Sequence, residues 1–135
     1  MTLDTPAGSY RVTAVSTGNP HGVIFVGGVS SLDVAGIGPY LECHRVWPDR
    51  ANIEFIESDG RHRLRQRTWE RGVGETDACG TGACAAAAAA VSRGIADWPV
   101  TVALNGGSLE IDCDRRGHLM MTGPAVEVFE GAIDV

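Results

Sequence analysis

The sequence predicts an α+β fold in which sheet dominates. Three observations carry that expectation. Short alternating or apolar runs recur along the chain, and 18 of its 135 residues are glycines that punctuate them with turns. Only two stretches read as helix, one weak and one almost wholly alanine. The alanine stretch carries no charge and so lacks the polar stripe of a surface helix. A strand-rich chain with one all-round apolar helix predicts a single domain over residues 1–135. Its sheet should be curved, mixed and mostly antiparallel, barrel-like, and wrapped around one buried central helix.

Tyr10–Ser16 (YRVTAVS) alternates and reads as a strand, and the TGNPHG that follows reads as a turn. Val23–Val26 is a short buried strand. Ser31 is placed to cap a helix reaching about Leu41, although Gly36, Gly38 and Pro39 weaken it. Asn52–Glu57 (NIEFIE) is a strand. Arg61–Trp69 (RHRLRQRTW) alternates strictly, which puts Arg61, Arg63, Arg65 and Arg67 on one face. That face is either a phosphate-binding stripe or a solvated strand face, and the acidic chain favours the second. Gly82–Ser92 is the alanine helix. Val100–Leu104, Leu109–Cys113, His118–Thr122 and Val126–Phe129 read as strands, with NGG and DRRG as hairpin turns between some of them.

An apolar fraction of 44% and a charged fraction of 21% fit an ordinary globular domain. The net charge of -6 argues against a nucleic-acid partner. Ala83–Val91 is too short to span a bilayer, so no membrane role is expected. Met1 leads into TLDTPAG, which has neither the basic nor the apolar region of a secretion signal. Cys43, Cys79, Cys84 and Cys113 form no CxxC and no paired zinc spacing. The expectation is a cytoplasmic protein with free thiols, one opportunistic disulfide being the alternative.

The stretch ERGVGETDACGTGACAAAAAA (70–90) places Cys79 at the mouth of the alanine helix. A helix N-terminus carries about half a positive unit charge and unpaired N–H groups. Such an end binds carboxylate or phosphate and lowers the pKa of a nearby thiol. Cys79 is therefore expected to be the active thiol and the most reactive of the four. Cys84, Cys43 and Cys113 read as inert packing. On composition alone, a plain core helix without chemistry is the competing reading.

Four motifs then converge: VSTGNPH (15–21), RANIEF (50–55), WERGVGETDACGTGACA (69–85) and TGPAVEVFEG (122–131). In order and spacing the chain resembles the C-terminal half of the diaminopimelate epimerase family, from about Tyr10 to the end. Thr17 and Asp77 are small departures from the motifs. The resemblance implies a cofactor-independent, metal-free enzyme of two similar lobes, each a curved sheet around a central helix. Each lobe contributes one cysteine to proton transfer between LL- and meso-2,6-diaminopimelate, a step of lysine biosynthesis.

By the same resemblance Cys79 is an acid/base cysteine, and Gly80 and Thr81 bind the substrate α-carboxylate. Asn19, Asn52 and Arg71 bind the distal amino-carboxylate end. Glu70 contacts substrate and, with His21, tunes the thiols. Phe129 contributes to a homodimer contact. Read without the resemblance, His21 is equally a turn residue, Asn52 a backbone-satisfying strand start, and Glu70–Arg71 a surface pair.

The family's first half has no counterpart here, and no second cysteine sits in an equivalent glycine-rich turn. One thiol cannot act on both faces of a planar carbanion. The expected partners are therefore an amino-acid substrate and an N-terminal lobe carrying the second cysteine, and this chain alone is expected to be inactive. A proline racemase-like enzyme is the nearest rival. A phenazine-pathway type isomerase is less favoured, because the thiol motif is present. A non-catalytic carboxylate-binding or assembly module is the rival from another class.

Overall fold

The structure is a computed structural model that describes all 135 residues. In chain order its elements are β1 (Thr2–Thr5), β2 (Gly8–Ser16), β3 (Pro20–Phe25), a 3-10 turn (Val29–Ser31), α1 (Val34–Glu42), β4 (Asn52–Ser58), β5 (Arg63–Glu70), β6 (Gly74–Thr76), α2 (Gly80–Ser92), β7 (Val100–Leu104), β8 (Gly107–Cys113) and β9 (Leu119–Thr122). The strands form one sheet in the order β1-β2-β3-β4-β5-β7-β8-β9, with β6 paired to β5. Pairing is parallel only at β3/β4 and β5/β7. The sheet is open, with β1 and β9 as its outer strands, short of the barrel-like closure expected from the sequence.

The two faces of β4 explain its composition. Asn52 to Ile56 are all buried, because each face packs against a helix. Ile53 and Phe55 join Val34, Ile37 and Leu41 of α1 in one core. Ile56 joins Val23, Leu64, Val100, Val102, Ile111 and the alanines of α2 in the other. Alanine lets α2 approach the strands closely. On the opposite side α1 also packs tightly: a methyl group on Gly38 would lie 2.4 Å from the Trp69 ring.

Several sequence expectations need correction. Ser31 closes the 3-10 turn, and Asp33 caps α1 by accepting from the Gly36 N–H at 3.0 Å. α2 begins at Gly80, two residues early. It is not buried all round, since Cys84, Ala88 and Val91 form a half-buried stripe along it. β1 and β6 were not expected, and β3 starts inside the TGNPHG stretch. Val126–Phe129 forms no strand: residues 123–135 pair with none of the sheet, and Phe129 is 83% exposed.

The arginine face is an ion-paired surface. Arg61 lies outside β5 and pairs with Asp97, and Arg63 and Arg65 share Asp59. Arg67 pairs with Glu75 and also donates to the Val29 and Leu32 carbonyls, at 3.2 and 2.7 Å. The guanidinium thereby caps the 3-10 turn from below, and the phosphate-stripe reading has no support.

Candidate active site

The sheet layer under α2 changes character along its length. Beneath the middle of the helix it presents Val23, Ile56 and Leu64. Two residues on, beneath the N-terminus, the same strand faces present His21, Asn52, Glu54, Gln66 and Thr68, all buried. His21 and Asn52 are register partners at the start of parallel strands, and Glu54 is opposite Thr68. The glycine-rich turn drops the first turn of α2 onto this polar floor.

Cys79 is the N-cap of α2. Its backbone is extended (φ -143°), and Sγ accepts the Gly82 N–H at 3.3 Å, with Thr81 Oγ1 at 3.7 Å. Gly82 is required by close approach. A methyl group there would lie 2.6 Å from Glu54 Oε1, 3.1 Å from Cys79 Sγ and 3.2 Å from Gln66 Nε2. Thiol and buried carboxyl therefore flank one glycine. Gly80 and Thr81 open the helix, where first-turn N–H groups have no helical acceptor.

Two loops complete the site. His21 Nδ1 meets Glu54 Oε1 at 2.8 Å, and Nε2 meets Thr17 Oγ1 and Asn19 Oδ1, each at 3.1 Å. Asn52 Oδ1 accepts the Arg71 backbone N–H at 2.8 Å, while its Nδ2 donates to the Pro20 carbonyl at 3.5 Å. One amide thus ties the loop carrying Asn19 to the loop carrying Glu70 and Arg71.

A family model for diaminopimelate epimerase matches residues 13–128. The chain belongs to the diaminopimelate epimerase family. It is 46% identical over 133 residues to the diaminopimelate epimerase of Leptospira biflexa, covering 98% of this chain and 48% of that protein. Against the diaminopimelate epimerase of Synechococcus elongatus it is 51% identical over 126 residues, covering 93% and 45%. The chain thus spans about half the length of the curated relatives it matches. A solved phenazine biosynthesis protein of the PhzF family from Bacillus anthracis shares the fold, with a TM-score of 0.52 at 22% identity. That match covers 83% of this chain and 38% of that one.

In this member of the epimerase family, most of the expected site residues fall into two groups, with Glu70 and Arg71 outside both. Cys79, Gly80 and Thr81 stand together at the helix end. Asn19, His21 and Asn52 are gathered around the floor. Glu70 accepts from Thr76 Oγ1 at 2.6 Å. Arg71 turns its guanidinium to Asp49, whose side chain is 93% exposed. The guanidinium also donates to the Asp49 carbonyl at 2.9 Å, and the ion pair itself lies at the surface, where such pairs contribute little.

The thiol differs from the sequence expectation. Burial pushes the Cys79 pKa up, and the Glu54 and Glu70 carboxyls add to that. The Thr81 hydroxyl and Gly82 N–H pull the other way without reversing it. Sequence reasoning also missed Glu54 and Glu42. Glu42, buried at the end of α1, accepts from Trp69 Nε1 (2.7 Å), the Gly72 N–H (2.8 Å) and Arg50 (3.2 Å), and so braces the loop of Arg71. Glu54 shares a strand face with Asn52 and Ile56, and only the packing of that face under α2 shows that it turns inward.

Proposed function

We propose that this chain is one half of a cofactor-independent epimerase that interconverts LL- and meso-2,6-diaminopimelate, with a second cysteine supplied by an N-terminal lobe. The observation that carries the reading is Cys79 Sγ at the N-cap of α2, beside first-turn amides suited to a carboxylate. In the reaction, one thiolate takes the α-hydrogen as a proton and leaves a carbanion. The thiol on the other face then delivers its own proton there. Net inversion exchanges the thiol and thiolate roles of the pair. Burial that favours the protonated thiol suits Cys79 to the delivering role.

Asn19, Asn52 and Arg71 would hold the distal amino-carboxylate, with Arg71 leaving Asp49 for a bidentate contact. His21 and Glu70 would tune the thiol. The packing of α2 against β2 to β5 and β7 to β9 supports a sheet that curves about it as a central helix. Four free cysteines fit a reducing cytoplasm. Phe129 is read as a contact to a second copy.

The test is reconstitution. Alone, the chain should neither invert diaminopimelate nor exchange its α-hydrogen in D2O. Mixed with the separately expressed N-terminal lobe of a relative it should do both, and Cys79→Ala should remove both. Inversion by the purified chain alone refutes the half-site reading. Carboxylate binding without reconstituted exchange establishes the binding-module alternative.

A further inference from the structure

We propose that Glu54 is a positioning residue of this site: lodged beneath the first turn of α2, its carboxyl anchors His21 and sets the charge that the Cys79 thiol meets from below. This deepens the reading of Cys79 as the acid/base thiol and rests on it.

Glu54 and His21 are both 0% exposed, and they meet at 2.8 Å. A carboxyl placed so deep needs a partner, and only one of its oxygens has one: Oε2 is buried with no hydrogen bond. Gln66 Oε1, from the next strand, is buried and unpartnered as well. An apolar floor would pack better than two orphan oxygens, so their place beneath a helix N-terminus points to use of their polarity, and of the Glu54 charge, rather than to stability. Glycine at position 82 removes the side chain that would separate the carboxyl from Sγ.

The charged and titratable groups around the thiol are few. Glu54 faces it from β4, Glu70 from β5, and Cys84 lies one turn along α2. His21 stands behind Glu54 on β3. The neighbours from elsewhere, Met121 beside Gly80 and Gln66 beneath Gly82, carry no charge. Glu70 has a hydroxyl partner in Thr76, whereas Glu54 has only His21. Glu54 also connects the thiol to the substrate loop, since the far nitrogen of His21 reaches Thr17 and Asn19. A change of charge at Sγ is thereby felt, through one carboxyl and one imidazole, at Asn19.

The experiment is the pH profile of Cys79 alkylation by iodoacetamide in the full chain, read by peptide mapping. Glu54→Gln keeps an oxygen for His21 and removes the charge. It should move the inflection about one pH unit lower. A purely structural Glu54 would lower the unfolding midpoint and leave the inflection in place, which overturns the proposal. If Glu54→Gln fails to fold, the unaltered chain decides. The ring 15N resonances of His21 should shift through the Cys79 inflection, and resonances blind to it overturn the coupling. Reconstituted inversion is scored separately. An unmoved inflection in an active enzyme refutes only the role of Glu54. A moved inflection beside an unaltered chain that stays inactive on reconstitution refutes the epimerase reading and upholds the coupling.

Discussion

The Gly82 N–H donates to Cys79 Sγ, so the residue read as the reactive thiol is also the cap of its own helix. Cys79→Ala should therefore destabilise the fold by about 0.5–1 kcal/mol, at the low end for caps because sulfur is a weak acceptor. Cys79→Ser should retain or improve stability while still failing in reconstituted inversion. Urea unfolding of the three proteins checks this, and equal midpoints for all three would show that the cap contributes nothing.

At neutral pH the exposed Cys43 should label before Cys79, the reverse of the order expected from the helix end alone. Burial raises the folded thiol above its unfolded value. Its contribution to stability is therefore complete below the ordinary thiol range and is lost as pH rises through the folded value. Limiting alkylation followed by mapping measures the order, and unfolding midpoints at rising pH measure the loss.

Glu42 behaves in the opposite sense. Burial raises its pKa, but the bonds from Trp69, Gly72 and Arg50 together bring it below the ordinary value. That stability is present above the ordinary carboxylate range and is lost as pH falls through the folded value. Glu42→Gln turns an amide toward these donors and should cost about 1–3 kcal/mol at neutral pH. The gap to wild type should narrow in acid, and a pH-independent gap would rule out the charged form as the cause.

Arg67→Ala should cost about 1–3 kcal/mol, because it takes a charged donor from the Val29 and Leu32 carbonyls and leaves the Glu75 carboxylate without its partner. Arg63→Ala, on the same strand face but half exposed, should change stability by less than about 0.5 kcal/mol. Thermal melts with and without phosphate compare them. Strong stabilisation by phosphate, lost in both variants, would restore the anion-stripe reading.

On the proposed homodimer contact, the unaltered chain should scatter light as a dimer and Phe129→Asp as a monomer. Val126, Val128 and Phe129 are exposed, and the proposed contact would use them. A wild-type monomer that pairs only with an added N-terminal lobe would reassign these residues to the junction between lobes.

Much of the sheet was legible because its signals are local. YRVTAVS and RHRLRQRTW alternate, and NIEFIE is too apolar for an exposed position. β1 and β6, with four and three residues, are too short to show a period. Ser31 and Asp33 are both good caps, and the choice fell to Asp33 because a helix from Val34 sets Ile37 and Leu41 against the Ile53–Phe55 face. AVEVFEG alternates convincingly, but a strand needs a neighbour, and periodicity holds no information about one. In the site, the glycine turn and thiol could be read directly. The inward turn of Glu54 could not, since a carboxylate in a strand is ordinarily assigned to water.

Asn52 holds the Pro20 carbonyl with one end of its amide and the Arg71 N–H with the other. The loops that carry Asn19 and Arg71 are thus one mechanical piece, already set when the chain folds. On the proposed function, a ligand held by Arg71 would meet a loop whose backbone is already fixed, so little loop entropy would be lost on binding. A tug on that loop also reaches the Asn19 turn. On the proposed function, discrimination between a substrate with a distal charged head and one without it would be felt at both loops together, as a single latch rather than two independent grips.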